Sequence, residues 1–82
     1  PARPDHRAAR RSEREIRKEM TNLERTIARL DGEKKQANSK LMTATDPAEA
    51  LRLHNEVTTL AAELTTAEER WCELQAEVTE EE

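Results

Sequence analysis

An apolar residue recurs every three or four positions along most of this chain. In the first half, these seam positions are Ile16, Met20, Leu23, Ile27, Leu30, Ala37 and Leu41, with Lys34 as a weak member. In the second half, they are Ala50, Leu53, Val57, Leu60, Leu64, Ala67, Trp71, Leu74 and Val78. Alternating spacings of three and four residues are typical of a coiled coil, in which each helix buries a narrow stripe against a partner helix.

The two halves are separated by residues that suit a turn. Asp46 is a good N-cap, Pro47 fits the first position of a helix, and Glu49 completes a capping-box pattern. A short connection favours pairing of the two helices within one chain. We therefore predict an all-α fold, an antiparallel two-helix coiled coil (helical hairpin), that is monomeric as an isolated domain.

The predicted boundaries follow from proline, glycine and the seam. Residues 1–7 form a basic flexible linker, and residues 8–82 form the helical hairpin. Within the hairpin, helix 1 spans about 8–42, the turn 43–46, and helix 2 about 47–79, followed by a frayed glutamate tail. Gly32 predicts a weak point in helix 1, because glycine costs about 1 kcal/mol relative to alanine there.

A predicted register follows from matching the two seams and their flanking charges. Leu30 is placed opposite Val57, and Ile16 opposite Trp71. This register also brings Glu19 close to Arg70. Exposed ion pairs contribute little to stability, but they help to select one register over another.

The composition excludes several classes of protein. With 34% hydrophobic residues, one aromatic residue and 39% charged residues in 82 positions, the chain cannot build a layered globular core. Cys72 is alone, which excludes an internal disulfide and fits a reducing cytosol. No apolar run approaches the roughly 18 residues of a membrane span, so we expect no membrane partner.

Sequence motifs for catalysis or metal binding are not evident. A single glycine, Gly32, cannot form a phosphate-binding loop. His6 and His54 lack further ligands at metal-binding spacing, and Cys72 has only Arg70 nearby to activate its thiol. We predict a chain that is not an enzyme and that has no cofactor and no metal.

Charge is distributed unevenly between the two halves. Residues 1–40 carry 12 Lys/Arg against 7 Asp/Glu, a balance of +5, whereas residues 41–82 carry 2 against 11, a balance of −9. The cations cluster around the start of helix 1 in what we call the basic stripe: Arg7, Arg10, Arg11, Arg14, Arg17, Lys18 and Arg25. This stripe predicts contacts with nucleic-acid phosphates, and a solvated charged face is the alternative. Without interleaved aromatic residues, sequence readout is not expected.

Several segments together resemble one family. They are a first helix reading REIRKEMTNLERTIARLDGEKKQ, a turn reading TDPAEA, and a second helix ending LTTAEERWCELQAE. The chain resembles the C-terminal coiled-coil extension of ABC-F ATPases, in particular the Uup-like group. In that family the turn commonly carries Asp-Pro, matched by Asp46-Pro47. Its second helix closes with a Glu-Arg-Trp-x-Glu-Leu run, matched by Glu69 through Leu74.

The resemblance implies a cytoplasmic parent protein with two ATP-binding cassettes upstream of this chain. It also implies a non-catalytic C-terminal arm that contacts nucleic acid, either DNA or ribosomal RNA. The family's extension is often more basic along its length, and the second helix here is strongly acidic, so the nucleic-acid contact is expected on helix 1 and its lead-in.

Two alternatives remain at the level of sequence. One is a structural or protein-interaction hairpin that docks to its parent ATPase or another protein through Trp71 and makes no nucleic-acid contact. The other is a homodimer or four-helix assembly, which the apolar Leu51 outside the seam mildly favours.

Overall fold

A computed structural model of the chain describes residues 12–81 as two long α-helices. These are α1 (Glu13–Thr43) and α2 (Pro47–Glu81), joined by residues 44–46. They pack against each other along their length, with the start of α1 beside the end of α2. The prediction of an all-α helical hairpin is confirmed. We call the end where α1 begins and α2 finishes the open end, and the other the turn end.

The start of α1 is fixed by Ser12. This residue is extended (φ −69°, ψ 151°), and its hydroxyl accepts a hydrogen bond from the Glu15 N–H at 3.1 Å. Its carbonyl accepts the first helical bond, from the Ile16 N–H at 3.1 Å. Because an N-cap residue lies outside the helix that it caps, α1 begins at Glu13. The predicted start of helix 1 near Ala8 lies outside the described residues, as does the predicted linker, residues 1–7.

The turn has the predicted cap at Asp46. Its carboxylate accepts a hydrogen bond from the Glu49 N–H at 3.0 Å, and its carbonyl accepts one from the Ala50 N–H at 2.9 Å. Pro47 is the first residue of α2, as predicted. The carboxylate of Glu49 binds Arg52 at 2.6 and 3.1 Å instead of turning back to close a capping box. This hydrogen bond lowers the pKa of Glu49 and raises that of Arg52.

The helices are regular where the sequence predicted weakness. α1 continues through Gly32 without a break, and a Cβ atom placed on Gly32 would meet nothing within 4 Å. α2 extends through Glu81, beyond the predicted end near Thr79. Neither helix within residues 12–81 has a stretch long and apolar enough to cross a membrane.

The buried core is drawn from the predicted seam. Among residues 12–79, the buried hydrophobic side chains are Ile16, Leu30, Ala37, Leu53, Leu60, Leu64, Ala67, Leu74 and Val78. All of them are seam positions. The 3.5-residue period therefore predicted correctly which face of each helix is buried.

The register differs from the prediction by one seam position. Ile16 packs with Leu74 and Val78 instead of Trp71, and Leu30 packs with Leu60 and Leu64 instead of Val57. The reason lies in the connection between the helices. Thr45 is at its centre, so residues equally far from Thr45 face each other across the hairpin.

Candidate nucleic-acid interface

Three members of the basic stripe lie free on the outer surface of α1. Arg14, Lys18 and Arg25 are exposed, and none forms an ion pair with another residue in the described part of the chain. At about 1.5 Å per residue, Arg14 and Arg25 are about 16 Å apart along the helix axis. Helical periodicity places all three on the face of α1 that points away from α2. They can reach the same extended anion together.

Arg17 belongs to the predicted stripe but is already paired. Its Nε lies 2.8 Å from the Glu13 carboxylate one turn earlier, and both side chains remain about half exposed. Arg17 is also displaced around the helix from the line of Arg14, Lys18 and Arg25. An anion can bind Arg17 only in competition with Glu13, so this arginine contributes less to the site than its neighbours.

The remaining predicted members, Arg7, Arg10 and Arg11, lie outside the described residues. The structure therefore brings together Arg14, Lys18 and Arg25, with Arg17 beside them. Each of the three free cations lacks an acidic residue four positions away in sequence. Helical side chains meet at spacings of three and four residues, and Lys18 has Glu15 three residues before it, but these two side chains form no ion pair.

The same spacing explains which other cations of α1 are neutralised. Arg29, which is not part of the predicted stripe, is exposed one turn beyond Arg25 but binds Glu33 at 3.1 Å. Lys35 binds Asp31 at 3.1 Å. Both partners are four residues away. Within the described part of α1, each cation that pairs with an acid of the same helix has that acid four residues away.

Two adjacent residues of α2 clasp α1 near the open end. Arg70 Nε lies 3.0 Å from the Glu19 carboxylate, which confirms the predicted pair, and Arg70 also binds Glu73 at 3.1 Å. The hydrogen bonds with Glu19 and then Glu73 raise the pKa of Arg70. The indole N–H of Trp71 donates to the Glu24 carboxylate at 3.0 Å. The Glu24 partner was not predicted, because it depends on the corrected register.

The segment that carries these features matches a known family. The family model for the ABC transporter C-terminal domain covers residues 11–76. The chain belongs to this family. No curated protein and no solved structure shows a significant match.

The matched segment of this ABC transporter C-terminal domain includes the free cations, the turn and Trp71. On α2 the domain exposes Glu63, Glu68, Glu69 and Glu73. A polyanion is repelled by this surface and attracted by the outer face of α1. The two helices thus give the domain two electrostatically different sides.

Proposed function

We propose that this domain is the non-catalytic C-terminal arm of an ABC-F ATPase of the Uup-like group, and that it binds nucleic-acid backbone. The observation that carries the proposal is the set of exposed cations without ion-pair partners in the described chain: Arg14, Lys18 and Arg25. The family match supports a role as an accessory domain of an ABC protein. The parent then supplies the ATP-binding cassettes, and the arm works in the cytoplasm.

The mode of binding follows from the side chains available. Arginine and lysine on an exposed helix face contact phosphate oxygens, which are the same in every nucleotide. The free cations stand on a regular helix without an aromatic residue among them. The arm therefore binds DNA or ribosomal RNA without reading the bases, and the acidic α2 fixes which side faces the ligand.

The experiment is a titration of the 82-residue chain against labelled duplex DNA and a structured RNA at several salt concentrations. We expect binding that weakens steeply with salt, because each neutralised phosphate contributes a slope of about 0.9 in log K against log salt for B-DNA. Replacing Arg14, Lys18 and Arg25 together with glutamine is expected to lower that slope by roughly two to three units. Circular dichroism checks that helicity is retained.

A matched control removes the same charge elsewhere. The triple substitution Lys35→Gln, Lys40→Gln and Arg52→Gln changes the net charge equally at the turn end of the hairpin. We expect this variant to keep most of the affinity and the salt slope. If both triple variants lost the same affinity and the same salt slope, the basic stripe would not be the binding site, and the attraction would depend only on the net charge. Reversing Arg10, Arg11 and Arg14 to Glu then tests the start of the stripe on both sides of Ser12.

Docking to a protein is the second candidate function. Met42 and Leu51 are 85% and 61% exposed near the turn, and exposed apolar side chains favour protein contacts. Trp71, the predicted docking residue, is half-buried and already donates its N–H to Glu24. No nucleic-acid binding even at low salt would favour this second function. Alanine substitution of Met42, Leu51 and Trp71 would then be tested against the parent cassettes.

A further inference from the structure

A groove of about 510 Å³ opens on one side of the hairpin near its middle. Leu23, Leu30 and Ala67 of the seam line it. Thr26 of α1 and Thr66 of α2 stand on either side, and both are short. In most coiled coils the positions that flank the seam carry long charged side chains whose stems cover the apolar core. Here the short residues leave Leu23 only half-buried, whereas Leu30 and Ala67 at the floor of the groove are buried.

The rim of the groove carries both signs of charge. Arg29 lies on the α1 side, where it binds Glu33 of its own helix at 3.1 Å but keeps a side chain that is 61% exposed. Glu63 lies on the α2 side, with Arg70 also at the rim. Glu63 makes no ion pair with any other residue within the described part of the chain, whereas Arg70 already binds Glu19 and Glu73. A polyanion would require a rim of one sign. A rim with a base and an unpaired acid is complementary to a copy of itself turned through a two-fold axis.

The same chain also offers a ridge that suits the groove. Thr59, Ala62 and Thr66 follow one another along the outer side of α2 at spacings of three and four, and all three are exposed. None is charged, and the Thr66 hydroxyl is bonded to the Ala62 carbonyl at 3.1 Å. Small side chains in a row let two helices approach closely. Because this ridge borders the groove, each copy can place its ridge in the groove of the other.

We propose that a second copy of this chain occupies the groove, in a two-fold pair of hairpins that packs α2 against α2. Glu63 of each copy then lies against Arg29 of the other. Arg14 and Lys18 do not line the groove, so they stay exposed in the pair. The pairing revises the expectation of a monomer, and it does not depend on nucleic-acid binding. The contact is confined to one groove and one short ridge on each copy, and small interfaces of this kind are typical of weak association.

The test is sedimentation equilibrium of the 82-residue chain, without nucleic acid, from roughly 10 µM to 1 mM. We expect the average mass to rise from the monomer value of 9.4 kDa toward about twice that value. A mass that stays at 9.4 kDa over the whole range would overturn the proposal. The result is independent of the nucleic-acid titration, so either proposal can fail alone.

A substitution in the groove and a matched control test the location. Ala62→Glu places a carboxylate on the ridge and beside Glu63, and is expected to return the chain to a monomer. Ala28→Glu makes the same change on an exposed position of α1 that does not line the groove, and is expected to leave the mass curve unchanged. Circular dichroism confirms folding of both variants. Equal behaviour of the two variants would place any association elsewhere and contradict the proposal.

Charge exchange tests the orientation of the two copies. In the Glu63→Arg variant, the new arginine of each copy meets Arg29 of the other copy. In the Arg29→Glu variant, the new glutamate of each copy meets Glu63 of the other copy. Because like charges then face each other, each variant alone is expected to be monomeric. In an equimolar mixture, each Arg29 and Glu63 contact again joins opposite charges. We therefore expect the mixture to associate. Failure of the mixture to associate would exclude the proposed two-fold arrangement.

Discussion

Both ends of the hairpin have buried seam residues, because Ala37 and Leu53 toward the turn are buried as fully as the seam at the open end. Within residues 12–81, the polar side-chain contacts from helix to helix described above lie near the open end, whereas at the turn end the connecting residues also hold the two helices together. The open end has the fully buried Ile16 and Leu74. The clasp of Arg70 on Glu19 and Trp71 on Glu24 lies beside them. Toward the turn, the ion pairs of Arg29, Lys35 and Arg52 join residues of the same helix.

The difference has a physical cause in loop closure. Near the turn, the connection 44–46 keeps the helices close, so little further energy is needed to pair them. The freedom of the two helices to separate grows with distance from the turn. The contacts between helices are therefore most valuable at the open end, where buried Leu74 and the clasp of Arg70 and Trp71 are found.

Leu74→Ala is expected to have the largest effect. Leu74 is fully buried against Ile16 and Val78, so its truncation should cost about 2–5 kcal/mol of unfolding free energy. Urea unfolding followed by circular dichroism measures the change. Leu51→Ala at the exposed position near the turn is the control, and its effect should stay within about 0.5 kcal/mol. Similar losses in both variants would contradict the core described for the open end.

The two N-caps compare the ends of the hairpin directly. Asp46→Ala removes the cap of α2 at the turn, and Ser12→Ala removes the cap of α1 at the open end. Either change is expected to cost about 0.5–2 kcal/mol. We expect Asp46→Ala to cost more, because fraying of α1 at its start absorbs part of the loss at Ser12. Thermal unfolding of the two variants measures both losses of stability. A larger loss for Ser12→Ala than for Asp46→Ala would mean that the turn end is less tightly held than the open end.

Gly32→Ala lies between the two ends and is expected to stabilise the protein. The backbone is helical at Gly32 and an added methyl group meets nothing within 4 Å. Alanine should therefore raise the unfolding free energy by about 1 kcal/mol. A rise in melting temperature measures the effect. A fall would show that Gly32 does not have the regular helical surroundings described.

Glu24→Ala tests the clasp and should have the smallest effect, below about 1 kcal/mol, because the hydrogen bond it removes is exposed. Trp71 is the chain's only aromatic residue, so its fluorescence reports on the open end alone. We expect a red-shifted emission as the indole loses its partner. Glu68→Ala, which removes an exposed acid without a partner in the described chain, is the control and should leave the emission unchanged.

The sequence predicted those parts of the fold that depend on local pattern. The seam gave the buried face of both helices, and Asp46 and Pro47 gave the start of α2. The register was one seam position off, because neighbouring layers of Leu, Ile and Val are chemically alike and the turn length decides between them. For the same reason, the bond from Trp71 to Glu24 could not be predicted.

The candidate site was predicted only in outline. The sequence placed Lys18 and Arg25 on one line of the helix, but it did not separate them from Arg17, whose charge is met by Glu13. The rule of an acid four residues away would have made that distinction. The groove beside Thr26 and Ala62 depends on the volumes of side chains from both helices in the correct register, so no local pattern could show it.

The antiparallel path of the chain also determines how the domain responds to mechanical load. The described start of α1 and end of α2 lie at the same end of the hairpin. Tension between those two points separates the helices from the open end toward the turn. It therefore acts first on the contact of Ile16 with Leu74, and then on the packed residues nearer the turn, one layer at a time. A pull between the turn and the open end instead runs along both helices and loads every layer at once. The hairpin is therefore compliant when its two chain ends are separated and stiff when it is drawn lengthwise.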